Sequence, residues 1–164
     1  MMRGMNEHRQ TGAALHREHD ANLELLRRVE QAFAGPPRRD AALVALLRTL
    51  GAHLTHEVGR HFGFEENELF GRMAESGAAD LAALLADEHV TIRAVAAQLG
   101  ALIERAAAGT LDDAGWDALK PLALELVERL TAHINKEEAA LLPLLAEVLD
   151  DDTDRALAMA YTSS

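Results

Sequence analysis

Ten residues of this chain come back far downstream in the same order of types. His61-Phe62-Gly63-Phe64-Glu65-Glu66-Asn67-Glu68-Leu69-Phe70 is echoed by His133-Ile134-Asn135-Lys136-Glu137-Glu138-Ala139-Ala140-Leu141-Leu142. Each reads His, apolar, two variable residues, Glu-Glu, two variable residues, two apolar. In a helix, residues four apart lie about 40° apart around the axis and one turn along it, so each segment offers an imidazole and a carboxylate in the same direction. That is half a metal site, offered twice. A lone His-x-x-x-Glu pair is an ordinary surface contact, and His53 with Glu57 makes a third. What chance handles badly is the long echo with its apolar flanks.

The rest of the composition agrees with helices. Ala and Leu are abundant, β-branched residues are few, and there are only four prolines. At 164 residues the chain suits one domain. It has no cysteine, which excludes disulfides, thiolate metal sites and thiol nucleophiles. A net charge of -11 disfavours nucleic acid or an anionic membrane surface as partner. No apolar run reaches the roughly 18 residues of a membrane span, and Met1-Met2-Arg3-Gly4-Met5-Asn6-Glu7 lacks the apolar segment of a secretory signal. A cytoplasmic location is the expectation, and nothing in the sequence points to a particular protein partner.

Taken in order, residues 1–10 read as a frayed start with a solvated His8. A first helix spans about 11–33, with Leu15, Leu26, Val29 and Phe33 on one stripe. His19 falls on that stripe and His16 on its flank. Ala34-Gly35-Pro36-Pro37-Arg38-Arg39 breaks the helix, and Asp40 is placed to cap the next. The second helix, about 40–75, carries Leu47, Leu50 and Leu54 on a stripe that runs into His61, with His56 turned toward solvent. His56-Glu57 begins a near miss to the zinc-protease pattern, but the next His comes one residue too late. Ser76-Gly77 ends this helix and Asp80 is placed to cap the third. That helix, about 80–107, aligns Leu85, Ile92, Ala96 and Ile103 with His89. After Gly109-Thr110, a fourth helix opens at Asp112 or Asp113 and reaches about Leu149, with Leu122, Leu126, Leu130 and Leu144 on the face of His133. Pro121 marks a kink or the true first turn of this helix, and Pro143 costs one backbone hydrogen bond near its other end. Residues 150–164 form an acidic tail or a short packing helix.

Four long helices joined by short breaks predict an all-α, antiparallel up-and-down four-helix bundle over 11–149. Each helix places one histidine on its apolar stripe. Counted from the turns at the helical rise, His61, Glu65, His89 and His133 share a level, whereas His19 falls about 10 Å short of His61.

A histidine alone on an apolar stripe is usually a hydrogen-bonded core residue. Four of them, one per helix and beside two carboxylates, call for a cation, because an unpaired buried carboxylate costs several kcal/mol. His19, His61, His89 and His133 can supply terminal nitrogens, while Glu65 and Glu137 can bridge two metals about 3.5 to 4 Å apart. Such a set leaves coordination positions open for a small molecule. Nitrogen and oxygen ligands without sulfur suit iron or manganese better than a closed structural zinc site. The Glu-x-x-His pattern of ferritin-like di-iron bundles is missing.

These residues resemble the hemerythrin-like, or HHE cation-binding, family of non-haem di-iron four-helix bundles. The likeness covers about 11–149 and rests on His19 in Leu15-His16-Arg17-Glu18-His19-Asp20, on His61 with Glu65, on His89 in Asp87-Glu88-His89, and on His133 with Glu137 before Leu141-Leu142-Pro143-Leu144-Leu145. It implies that His19, His61, His89 and His133 are terminal iron ligands, with Glu65 and Glu137 as bridging carboxylates; manganese or zinc would also satisfy the set. Oxygen-carrying members have a further His where this chain has Arg93 and an Asp where it has Glu138, so the resemblance leads away from reversible oxygen transport. It leads toward domains that repair iron clusters under nitrosative stress or sense oxygen, nitric oxide or iron, although the cysteine-bearing domain of the repair proteins is absent. His16, His53, Glu57 or Glu138 could supply a compensating ligand. The expected function is a centre that binds, senses or reduces oxygen, nitric oxide or peroxide. The alternative is an iron-binding or iron-sensing module without turnover of its own.

Overall fold

The computed structural model describes residues 9–163; the expectations for His8 and most of the N-terminal stretch lie outside the described residues. The architecture is an antiparallel four-helix bundle with a short fifth helix, and there is no strand among the described residues. Helix α1 is Gln10–Ala32, α2 runs through residues 41–78, α3 is Ala79–Ala107, α4 covers residues 113–148 and α5 is Asp151–Ser163. Each of α1 to α4 packs on two neighbours around the bundle, and α5 lies on α1.

Local chemistry sets the ends. The Asp40 carboxylate accepts from the Leu43 N–H at 2.9 Å, and Asp112 does the same for Gly115 at 2.8 Å, so two orphan donors are satisfied at the starts of α2 and α4. Asp80 does not cap α3. Gly77, at φ 98°, makes the turn there instead, leaving Asp80 in the first helical turn. The acidic segment after Leu149 is helical. Its Asp154 carboxylate accepts from the Gln10 and Thr11 N–H groups at 3.0 and 2.9 Å, which ties α5 to the start of α1.

Two apolar clusters fill the bundle. One joins Leu26, Val29, Phe33, Leu47, Leu50, Leu99, Ile103 and Leu126. The other joins Leu15, Leu69, Met73, Leu85, Leu141, Leu145 and Leu157. Each fully buried Leu contributes about 1.5–3 kcal/mol. On α4, Leu122 and Leu144 lie on the flank of the core, and Leu119, Ala123 and Leu145 take the central positions. Between the two clusters lies a layer of polar side chains.

The second and fourth helices turn more widely at this layer. Residues 57, 61, 65, 69 and 73 of α2 are all buried, as are 133, 137, 141 and 145 of α4 and Leu149 just past its end. Four successive steps of four residues would carry the last side chain about 160° around an ideal α-helix, onto the outer face. The backbone prevents this with π-helical turns at Glu57–His61 and Glu65–Leu69 in α2 and at Glu137–Leu141 in α4. There the N–H groups of Phe62, Phe70 and Leu142 reach back five residues, to the carbonyls of Glu57, Glu65 and Glu137. Pro143 follows directly, at the start of α-helical Leu142–Val148, where its missing N–H is tolerated.

Candidate metal centre

Six side chains meet in the polar layer. His19 comes from α1, His61 and Glu65 from α2, His89 from α3, and His133 and Glu137 from α4, and all six are buried. His19, His61, Glu65 and Glu137 form one group in which one ligand atom from each lies within 4.8 Å of the others, and Glu65, His89, His133 and Glu137 form a second. Both carboxylates belong to both groups. Glu65 reaches in two directions, with Oε2 3.4 Å from His61 Nε2 and Oε1 3.3 Å from His89 Nε2. Glu137 Oε1 lies 3.1 Å from His19 Nε2 and 3.5 Å from His133 Nε2.

His19 is level with His61, their rings stacked at 5.0 Å, and the expected 10 Å offset is absent. The connector 33–40 removes it. Gly35 accepts from Lys120 Nζ at 3.3 Å, while Arg39 pairs with Asp113 at 2.5 Å, so the connector climbs alongside α4 by seven residues, or about 10 Å, before α2 begins.

Around the six lies an outer ring of four carboxylates, which the sequence reading did not identify. His61 Nδ1 donates to Glu18 at 2.8 Å, His89 Nδ1 to Glu66 at 2.6 Å, His133 Nδ1 to Glu88 at 2.8 Å and His19 Nδ1 to Glu138 at 2.9 Å. Each helix therefore orients the histidine of the next, in the order α1 to α2 to α3 to α4 and back to α1. The signal was in the sequence as dipeptides: each outer glutamate directly precedes or follows an inner residue, in Glu18-His19, Glu65-Glu66, Glu88-His89 and Glu137-Glu138. One residue along a helix is a turn of about 100°, which takes the side chain off its own core face and toward the neighbouring helix.

With Nδ1 committed as donor, each Nε2 turns inward carrying a lone pair. The inner layer is then short of donors. His61 Nε2, both oxygens of Glu65 and Glu137 Oε2 are buried without a hydrogen-bond partner, and the Nε2 atoms of His89 and His133 face each other at 3.0 Å. Lone pairs converging on lone pairs require protons or cations between them.

The titration behaviour of the cluster has the same origin. Burial alone would depress the His61 imidazole, but the charges of Glu65 and Glu57 and the bond to Glu18 hold it well above its ordinary 6.5. Burial opposes His19 and His89 too, and Glu137 and Glu65 respectively outweigh it and raise them. His133 goes the other way, lowered by burial. Burial and the facing Glu65 charge push Glu137 up. Burial would raise Glu65 as well, but the charge of the neighbouring His61 brings it down to about 2.

Among the described residues, the other histidines stay outside both groups. His16 bonds to Glu138 at 2.8 Å and supports it, and His53 Nδ1 donates to Asn22 at 3.2 Å. His56 is exposed, with Nε2 3.1 Å from Glu18. Glu57 is buried, accepts from Asn22 Nδ2 at 2.7 Å, and approaches His61 from its Nδ1 side at 3.4 Å.

A model of the hemerythrin HHE cation binding domain matches residues 10–145. The chain belongs to that family. No curated protein matches it closely in sequence. A hemerythrin-like domain binds metal cations, and the donor set of this one fits them: four inward imidazole nitrogens, with both oxygens of Glu65 and one of Glu137 unsatisfied, in a layer between two apolar clusters. Its two departures from the oxygen carriers also have structural explanations. Arg93 donates to both oxygens of Glu66, at 3.1 and 2.7 Å, and to the Val58 carbonyl at 3.2 Å, so it braces the carboxylate that orients His89. Glu138 faces His16 and His19 from outside the inner layer. In this hemerythrin-like domain the inner set is four histidines and two glutamates.

Proposed function

We propose that the domain holds two non-haem iron ions bridged by Glu65 and Glu137, and that this centre binds or reduces a small oxidant such as oxygen, nitric oxide or peroxide. The observation that carries the reading is the double reach of Glu65, one oxygen toward the His61 side and one toward the His89 side. Two imidazoles on each side would give each ion a matching share of nitrogen and oxygen donors, a set that suits iron or manganese and would leave positions open on a six-coordinate ion. Bound iron would supply the electrons and the open coordination positions.

The chain's own residues do the rest. Glu18, Glu66, Glu88 and Glu138 fix the imidazole tautomers, so that Nε2 faces inward. Phe62, stacked on His89 with ring centres 3.7 Å apart, and Leu15, Leu69 and Leu130 keep bulk water from the layer. Burial makes cation binding a large contribution to folding, which favours a second reading, an iron-sensing module whose occupancy sets its stability.

Elemental analysis after expression with ample iron, together with an optical spectrum, tests the proposal. About two irons per chain are expected, falling sharply in His61→Ala and Glu137→Ala variants that keep their helical circular dichroism. Rapid oxidation of the reduced centre by peroxide or nitric oxide supports the redox reading. Iron-dependent melting without oxidant turnover supports the sensor. No iron in a folded protein contradicts both.

A further inference from the structure

The chain has a single tyrosine, and it sits against the centre. Tyr161 lies on α5, whose buried face also carries Asp154, Leu157 and Ala158, and α5 is anchored by the bonds from Gln10 and Thr11 to Asp154. The phenol is buried, and its O–H donates to Glu18 Oε2. That same oxygen accepts from His61 Nδ1. One carboxylate oxygen thus joins the phenol to an imidazole of the inner layer, and the two rings meet edge-on with centroids 6.2 Å apart. A tyrosine that merely closed the bundle would need an acceptor, but not the acceptor shared with His61.

We propose that Tyr161 is a one-electron donor to the metal centre, its electron leaving through His61 and its proton passing to Glu18. The inference rests on the oxidant-reducing reading of the site, with peroxide as the oxidant. Reduction of one hydrogen peroxide to two waters takes two electrons and two protons. One electron would come from the single ferrous ion of a half-reduced centre, one iron ferrous and one ferric, and that ion becomes ferric. The other comes from Tyr161, whose O–H bond breaks to leave a neutral tyrosyl radical, with that proton held on Glu18 Oε2. Solvent supplies the two protons that complete the waters. The Arg60 guanidinium lies 4.8 Å over the Tyr161 ring and disfavours positive charge there, so loss of the electron alone is opposed and loss of electron and proton together is favoured.

The test is rapid-freeze electron paramagnetic resonance of the iron-loaded protein, poised half-reduced with one iron ferrous and one ferric, mixed with hydrogen peroxide, with the optical bands of the centre followed in parallel. The single tryptophan does not confuse the assignment. Trp116 is in the first turn of α4 beneath Arg39, about 25 Å along the helix from His133 at the α-helical rise. The wild-type protein is expected to give a tyrosyl radical signal that narrows when the tyrosine ring is deuterated. The Tyr161→Phe variant is expected to load the same iron, to oxidise optically, and to lose the signal. Optical oxidation without a radical in the wild type, or a radical that persists in Tyr161→Phe or ignores ring deuteration, overturns the inference and leaves the di-iron reading standing. Failure of peroxide to oxidise the centre at all overturns the inference together with the peroxide-reducing reading it rests on, and leaves the iron-sensing reading. Should Tyr161→Phe fold poorly, the deuteration comparison in the wild type decides alone.

Discussion

The two halves of the cluster share their bridging carboxylates and differ in what lies behind them. On the His19 and His61 side, the outer glutamates lean on titratable or neutral groups: Glu18 on Tyr161 and His56, Glu138 on His16. On the His89 and His133 side they lean on fixed cations, Glu66 on Arg93 and Glu88 on Lys136. The first half also has the buried Glu57 carboxylate close to His61, where the second has the Phe62 face stacked on His89. Of the four imidazoles His19, His61 and His89 are raised, His61 most, with Glu65 and Glu57 beside it, and His133 alone is lowered, by burial. The lesson is that matching inner ligands do not make matching halves. With Glu57 behind it and no fixed cation on its outer glutamates, the first half would favour the higher charge, and an ion bound there is expected to oxidise first.

The comparison breaks most decisively at the shared groups. Glu65→Ala or Glu137→Ala should weaken both halves together, by more than about 100-fold in metal affinity. His61→Ala and His133→Ala should each empty one half and leave about one ion per chain, as read by calorimetric titration. Next comes Phe62→Ala, which removes a fully buried ring and should cost about 3–5 kcal/mol in urea unfolding, with the larger loss of binding in the second half. The outer ring follows. Glu18→Gln and Glu88→Gln should each lower affinity by about 10–100-fold, and Glu18→Gln should raise the potential of the first half selectively, as measured by redox titration. Smallest is a pH effect. His19, His61 and His89 are raised in the metal-free protein, so the stability they contribute is fully present below 6.5 and is lost as pH climbs through their folded values. Cations displace those protons, so the rise in melting temperature on metal loading should grow as pH increases above 6.5.

Much of this was legible before any coordinates. The four rods follow from stripes such as Leu15, Leu26, Val29 and Phe33, and the inner six from histidines and glutamates that continue those stripes. What was not legible depends on geometry between helices or away from the ideal helical pitch. The climb of the connector 33–40 depends on Arg39 and Lys120 gripping opposite ends of it. The outer ring links helices distant in sequence, so no single-helix pattern shows Glu88 serving His133 rather than its neighbour His89. The wide turns did leave a trace, the runs of apolar or ligand residues at strict steps of four from 57 to 73 and from 133 to 149. Read at an α-helical pitch, those runs drift off the core face. Only a wider turn keeps them facing it.

The account stands on two cations sharing two carboxylates inside one bundle, and anomalous diffraction at the iron edge from iron-loaded crystals tests that most directly. Two peaks about 3.5–4 Å apart, each beside one pair of histidines with Glu65 and Glu137 between them, are expected. A single peak confined to one pair, or density only on the acidic surface, would contradict it.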